Sequence, residues 1–169
     1  LVFDEICANF TTLSENRRRI KKEKKAKKFN EIFSLNILKN LSFELTNSQK
    51  KVLSEINIDL KSEERMFRIV QGDVGSGKTI VSLLVIANAI ESKYQCALMG
   101  PTEILAKQHY ELAKKIYKDS NFRIGFLSGK TEPKERKEIL KNLKDGNIDI
   151  IFGTHSLFQK KINFKNLGL

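Results

Sequence analysis

Gly72-Asp73-Val74-Gly75-Ser76-Gly77-Lys78-Thr79 is the stretch of this sequence best suited to chemistry. It follows the spacing G-x-x-x-x-G-K-[ST], which ordinary residue frequencies produce by chance in roughly one chain of this length in 200. Glycines at these places let the backbone curl until successive N–H groups point inward at phosphate oxygens. Lys78 brings a positive charge to the β- and γ-phosphates of a nucleotide, and the Thr79 hydroxyl is a suitable ligand for Mg²⁺. Such a loop has to sit between a strand and a helix whose amino end adds partial positive charge at the same point. Phe67–Gln71 reads as that strand and 78–92 as that helix. The helix is apolar almost all round from Ile80 to Ile90, as a helix buried against a sheet must be. ATP and Mg²⁺ are the implied ligands.

A phosphate-loop enzyme also needs an acidic residue at the end of a neighbouring strand, to hold Mg²⁺ and orient water. No apolar strand here ends in Asp-Glu, and Asp149 starts a strand, which puts it at the wrong edge. The carboxylates are expected beyond Leu169. Both ends of the sequence read as cut, since it starts at Leu1 and closes on Asn166-Leu167-Gly168-Leu169, which resembles the entry to a strand. The chain alone is therefore expected to bind nucleotide and to hydrolyse little of it.

Around the loop, strand-like runs at Gln95–Gly100, Arg123–Leu127 and Ile148–Phe152 alternate with helical segments 102–118 and 132–144. Strands joined by helices of this length need crossover connections, which predicts an α/β fold with a parallel sheet and flanking helices. In segment 102–118, Leu105, His109, Leu112 and Ile116 form the expected apolar face, and Pro133 belongs in the first turn of the next helix. Ligands of such a sheet gather at the carboxyl ends of the strands. Three of those ends open into small or polar residues: Gly100-Pro101-Thr102, Ser128-Gly129-Lys130 and Gly153-Thr154-His155-Ser156. One alone is an ordinary turn; three beside a phosphate loop fit the phosphates of a nucleic-acid backbone. His155 is a contact candidate, whereas His109, on an apolar face, reads as a core histidine. Two histidines without cysteine or carboxylate partners make no zinc site.

Upstream, Thr46 and Gln49 have the T-x-x-Q spacing of a capping box, with Val52, Leu53 and Ile56 as the buried face of the helix that follows. Residues 3–28 read as one long helix, with Phe3, Ile6, Phe10, Leu13 and Ile20 on one face, and a second helix runs from Asn30 to Leu41. Nine of the twelve residues from Arg17 to Lys28 are basic, a run that reads first as a solvated face, and otherwise as a phosphate contact or a link to a domain before Leu1.

With 169 residues, 40% of them hydrophobic, the chain can bury the core of one domain. No run of eighteen apolar residues occurs, so no membrane helix is expected, and the first thirty residues lack the order of a signal peptide. Cys7 and Cys96 fit no metal spacing, and Cys96, in an apolar run, reads as a small buried hydrophobe in a reducing cytoplasm. The net charge of +11 favours a polyanionic partner, although a lysine-rich solvated surface accounts for it equally well.

Taken together, Gln49, the loop Gly72 to Thr79, Pro101-Thr-Glu-Ile-Leu-Ala106 with Gln108-His-Tyr110, Leu127-Ser-Gly129 and Gly153-Thr-His-Ser-Leu157 resemble the first motor domain of superfamily 2 helicases. Within that group they are most similar to the RecG family of bacterial DNA helicases. The resemblance covers about 43–169 closely, a RecA-like phosphate-loop domain, and less specifically 1–42, which would be a helical connector. It implies that Gln49 reads the adenine edge; the capping box is the competing role, and one side chain is not expected to serve both. It assigns Pro101, Thr102, Glu103 and Gln108 to DNA tracking, together with Gly129, Thr154 and His155. It further implies a monomeric cytoplasmic bacterial enzyme that couples ATP hydrolysis to movement on duplex and branched DNA in recombination and repair. The Mfd translocase motor is similar, but Ser76 and the glutamate of Pro101-Thr-Glu-Ile-Leu-Ala106 favour RecG. A nucleotide-gated binding module that never hydrolyses ATP is the alternative from another class.

Overall fold

The computed structural model describes residues 7, 8, 10–15, 29, 37, 38, 41, 43–63, 65–158 and 162–169. Cys7, Ala8 and 10–15 are helical, and so are Ile37 and Leu38. The remainder of the two helices expected over 3–28 and 30–41, including most of the basic run 17–28, lies outside the described residues.

Among the described residues, four α-helices and three strands follow. Helix α1 spans Asn47–Lys61, α2 Lys78–Glu91, α3 Glu103–Ile116 and α4 Pro133–Asp145; β1 spans Cys96–Met99, β2 Ile124–Leu127 and β3 Ile150–Gly153. The strands form a parallel sheet in the order β1-β3-β2, with Met99 and Leu127 both level with Gly153. Fold class and strand direction are as the sequence pattern predicts. On the side of β1 away from β3, Leu167 bridges Gln95 in parallel, with Gln95 N donating to Asn166 O at 2.8 Å and Gly168 N to Gln95 O at 2.7 Å. Residues 166–169 thus lie beside β1 through an isolated parallel bridge.

Phe67–Gln71 is a correction. It is not a strand, and Phe67, Ile69 and Val70 are exposed. Its residue types suit a sheet, but strand formation needs a neighbour to pair with, and the outer side of β1 is taken by 166–169.

The face of α3 is a second correction. Ala106, Tyr110, Ala113 and Tyr117 face the core, one residue on from the predicted Leu105, His109, Leu112 and Ile116. Two alanines let the helix approach the sheet closely: a Cβ on Gly100 would come within 2.7 Å of Ala106 N. Between them the Tyr110 ring packs on Phe126 and Phe152, at 5.5 and 6.0 Å between centroids. Leu112 and Ile116 pack at the margin, and Leu105 is exposed.

Helix α2 is the centre of the main core. Val81 and all residues from Leu83 to Ile90 are buried, and each fully buried Leu or Ile contributes about 2 kcal/mol relative to exposure. Cys96 is wholly buried against it. Tyr117 Oη donates to Leu83 O at 2.5 Å, and burial pushes that phenol well above its ordinary pKa of 10.0. Buried Gln95 joins three segments: its Nε2 donates to Leu143 O at 3.0 Å and Ile148 O at 2.7 Å, and its Oε1 accepts from Asn166 N at 3.0 Å. Replacing Gln95 by leucine leaves those backbone groups without their partner and is expected to destabilise the fold by about 2 kcal/mol, measured by chemical denaturation against the wild type.

Candidate functional site

Two clusters of predicted residues emerge: the phosphate loop with Gln49, and the turns that follow β1, β2 and β3.

The loop enters α2 through two left-handed glycines, Gly75 and Gly77, each with φ of 81°. Side chains rarely adopt that conformation, which explains glycine at both places. Gly77 is the N-cap of α2 and has no side chain to cap it, so the first N–H groups of the helix are left to the loop and to a ligand. Lys78 folds back across the loop. Its Nζ donates to Gly72 O and Asp73 O, both at 2.7 Å, and lies 3.4 Å from Ser76 Oγ. The ammonium is thus held inside the loop by two backbone carbonyls. Val74 is fully exposed at the apex.

Gln49 is already engaged at both ends of its carboxamide. Its Oε1 accepts from Thr46 N at 2.9 Å while its backbone N donates to Thr46 Oγ1 at 3.2 Å, completing the capping box. Its Nε2 donates to Ser76 O at 2.9 Å, and a Cβ on Gly77 would collide with it. The sequence set capping against nucleotide contact; here the cap and the phosphate-loop contact are made together. One Nε2 hydrogen and one Oε1 lone pair are left over in that arrangement.

At the carboxyl edge of the sheet, the three turns are bound to one another. Gly100 N donates to Gly153 O at 2.8 Å, and Ser156 Oγ donates to Leu127 O at 3.1 Å, with Thr154 Oγ1 3.4 Å away. Lys130 reaches across to Glu103 at 3.7 Å. Thr102 caps α3 by accepting from Leu105 N, which leaves its hydroxyl hydrogen to donate. Glu103 in the first turn of α3 is favoured by the helix dipole. His155 opens a short 3₁₀ turn, His155–Phe158, and is exposed, as are Pro101, Thr102 and Gly129. Gln108 is exposed on α3, about 9 Å along the helix axis from Thr102 at 1.5 Å per residue. His109 is half-buried, and desolvation holds its pKa below the ordinary 6.5, so it is neutral at neutral pH.

Reasoning from the sequence alone gave no role to Arg68, and placed Lys130 and Ser156 only within strand-end turns read as phosphate contacts. Ser156 seats the turn that carries Thr154 and His155. Its partner lies 29 residues away, and nothing local in the sequence signals it. At the opposite, amino edge, a cleft of about 640 Å³ is lined by Tyr94, Asp119, Arg123 and Lys165 among others. There Asp149 pairs with Arg123 at 2.6 Å and raises the guanidinium pKa, which agrees with a structural role for that aspartate.

The model of the DEAD/DEAH box helicase family matches residues 44–169, most of the chain. The chain belongs to the DEAD/DEAH box helicase family. Within this family it is similar to the ATP-dependent DNA helicase RecG of Aquifex aeolicus (strain VF5), 41% identical over 99% of this chain and 21% of the relative. RecG of Thermotoga maritima is 46% identical over 78% of this chain and 17% of its own length. A solved structure of RecG bound to a three-way DNA junction superposes with a TM-score of 0.85 at 40% identity, over 94% of this chain and 22% of that one. A hypothetical ATP-dependent RNA helicase from Sulfolobus tokodaii shares the fold, at a TM-score of 0.58 and 18% identity over 77% of this chain and 37% of that one. The chain spans about a fifth of the length of the RecG relatives it matches. Among the described residues no helix is long and apolar enough to cross a membrane.

Proposed function

We propose that this chain is the nucleotide-binding part of the first motor domain of a RecG-type DNA helicase, with 43–169 in the motor and 1–42 as a helical connector. The observation that carries the reading is the Lys78 ammonium held inside a glycine-shaped loop at the amino end of a buried helix. Lys78 would neutralise the β- and γ-phosphates of ATP, the N–H groups of the loop would bind their oxygens, and Thr79 would be the protein ligand of Mg²⁺. Mg²⁺, held through the Thr79 hydroxyl, would supply positive charge to offset that of the phosphates. The open valences of Gln49 would read the adenine edge.

Pro101, Thr102, Glu103, Gln108, Gly129, Thr154 and His155 would track a DNA strand through its phosphates, which positions it without reading its sequence. The bonds between the three turns support this, because they make one surface of what were separate loops. The whole protein would act as a monomer in the bacterial cytoplasm. It would couple ATP hydrolysis to translocation on duplex DNA and remodel forks and four-way junctions in recombination and repair. The chain by itself would bind ATP and turn over little.

The test is ATP turnover by the whole protein with branched DNA, linear duplex and RNA as separate stimulants. The strongest response is expected from forks or four-way junctions. An equal response to plain duplex transfers the reading to an Mfd-like translocase, and ATP binding without turnover on any of them makes the chain a nucleotide-gated module.

A further inference from the structure

Helix α1 carries Gln49 to the phosphate loop, and a second tie fixes the same helix to the segment that leads into that loop. Arg68 stands four residues before Gly72. Its Nε donates to Asp59 Oδ2 at 2.7 Å and its Nη1 to Glu55 Oε2 at 2.7 Å. Glu55 and Asp59 are one helical turn apart on α1 and so present a double acceptor to the fork of one guanidinium. The Arg68 side chain is 29% exposed and its acceptors 42% and 34%. Leu53, Ile56 and Leu60 bury the inner face of α1, and Asn57 Oδ1 accepts from Asn88 Nδ2 of α2 at 3.0 Å.

Among the described residues, 67–71 pair with no strand, and Phe67, Ile69 and Val70 are exposed. The Arg68 fork ties the lead-in to α1, and α1 carries Gln49. Gln49 has little tolerance, since its Nε2 sits where a Cβ on Gly77 would be and bonds Ser76 O. A small rotation of α1 about its buried face moves the carboxamide off Ser76 or into the loop.

We infer that Arg68 is a positioning residue of the nucleotide site: by clamping Glu55 and Asp59 it sets the pose of α1 and so the contact of Gln49 with the phosphate loop and the base. This rests on reading the loop as an ATP site with Gln49 at the adenine. In this role Arg68 acts only through α1.

The experiment is equilibrium binding of ATP and of GTP to the whole protein, each competing with a fluorescent ATP analogue. Arg68→Met keeps the length of the stem and removes the fork. It is expected to weaken ATP about fivefold while leaving GTP within about twofold, the scale of losing two partly exposed ion pairs. A merely structural role lowers the melting temperature and leaves the ATP-to-GTP ratio unmoved, so an unchanged ratio overturns the inference. Gln49→Ala should reduce the ratio similarly, and adding Arg68→Met to it should cost nothing more; additive losses also overturn the inference. Arg68→Lys, which keeps the charge but not the fork, should recover part of the ratio. If Arg68→Met does not fold, Glu55→Gln with Asp59→Asn removes the same bonds from the exposed side of α1 and carries the same expectations. Lys78→Ala separates the two failures. If it weakens both nucleotides while Arg68→Met leaves the ratio alone, the site stands and only the role of Arg68 falls. If it weakens neither, the nucleotide reading falls and the inference with it.

Discussion

Replacing Lys78 by alanine is expected to abolish DNA-stimulated ATP turnover by the whole protein, a loss of about 1000-fold, without unfolding it. The magnitude follows from where the ammonium already is. Two backbone carbonyls, Gly72 O and Asp73 O, hold Nζ at 2.7 Å each inside the loop. On the proposed reading, incoming phosphate oxygens would exchange with those carbonyls, so the charge would be in place before any nucleotide arrives and little reorganisation would be needed. Alanine removes the only side-chain cation of the loop and would leave the β- and γ-phosphates to the N–H groups and Mg²⁺. The fold is spared because Lys78 is half-exposed and the carbonyls it releases can turn to water. Steady-state turnover with saturating branched DNA is the readout, with far-UV circular dichroism and a melting curve to establish that the variant is folded. Undiminished turnover in a folded variant would remove Lys78, and with it the loop, from the site.

How much of this was legible beforehand depended on how local each signal is. The phosphate loop, the capping box at Thr46 and Gln49, and helices α2 to α4 are written in neighbouring residues, and their predicted boundaries lie within two residues of those observed. The face of α3 was displaced by one residue because hydropathy favours Leu105 and Ile116 over Ala106 and Ala113. The sheet instead required small side chains at the point of closest approach, which hydropathy does not register. Phe67–Gln71 has the composition of a strand, but pairing belongs to its neighbours, which no local pattern contains. The long-range ties were invisible for the same reason. Gln95 meets partners 48, 53 and 71 residues away, and Ser156 reaches Leu127 over 29. Of the strand-end residues, Pro101, Thr102, Gly129 and Thr154 lie in turns as read, whereas Gly153 closes β3 and His155 opens a 3₁₀ turn; the bonds that make them one surface are geometry.

Gly153→Ala is expected to produce the largest loss of stability among single methyl additions at that surface, about 3 kcal/mol. Gly153 is the last residue of β3 and lies level with Leu127 in the parallel ladder. A Cβ there would fall inside the contact radius of Leu127 O and within 3.0 Å of Leu157 Cγ. The leucine side chain can shift, but the carbonyl is backbone in a strand whose Leu127 is completely buried, so β2 and β3 must separate at this end. That separation also breaks the bond from Ser156 Oγ to Leu127 O, which seats Thr154 and His155. Two readouts should therefore move together: the denaturation midpoint falls, and DNA-stimulated turnover drops further than ATP affinity does, because the phosphate loop lies on a different element. Gly129→Ala is the matched control. A Cβ on Gly129 meets nothing within 4 Å, so its stability should stay within about 0.5 kcal/mol of wild type. Equal stability of the two alanine variants would mean that the β2–β3 end accommodates a methyl group, and that glycine at 153 is not required by close packing against Leu127.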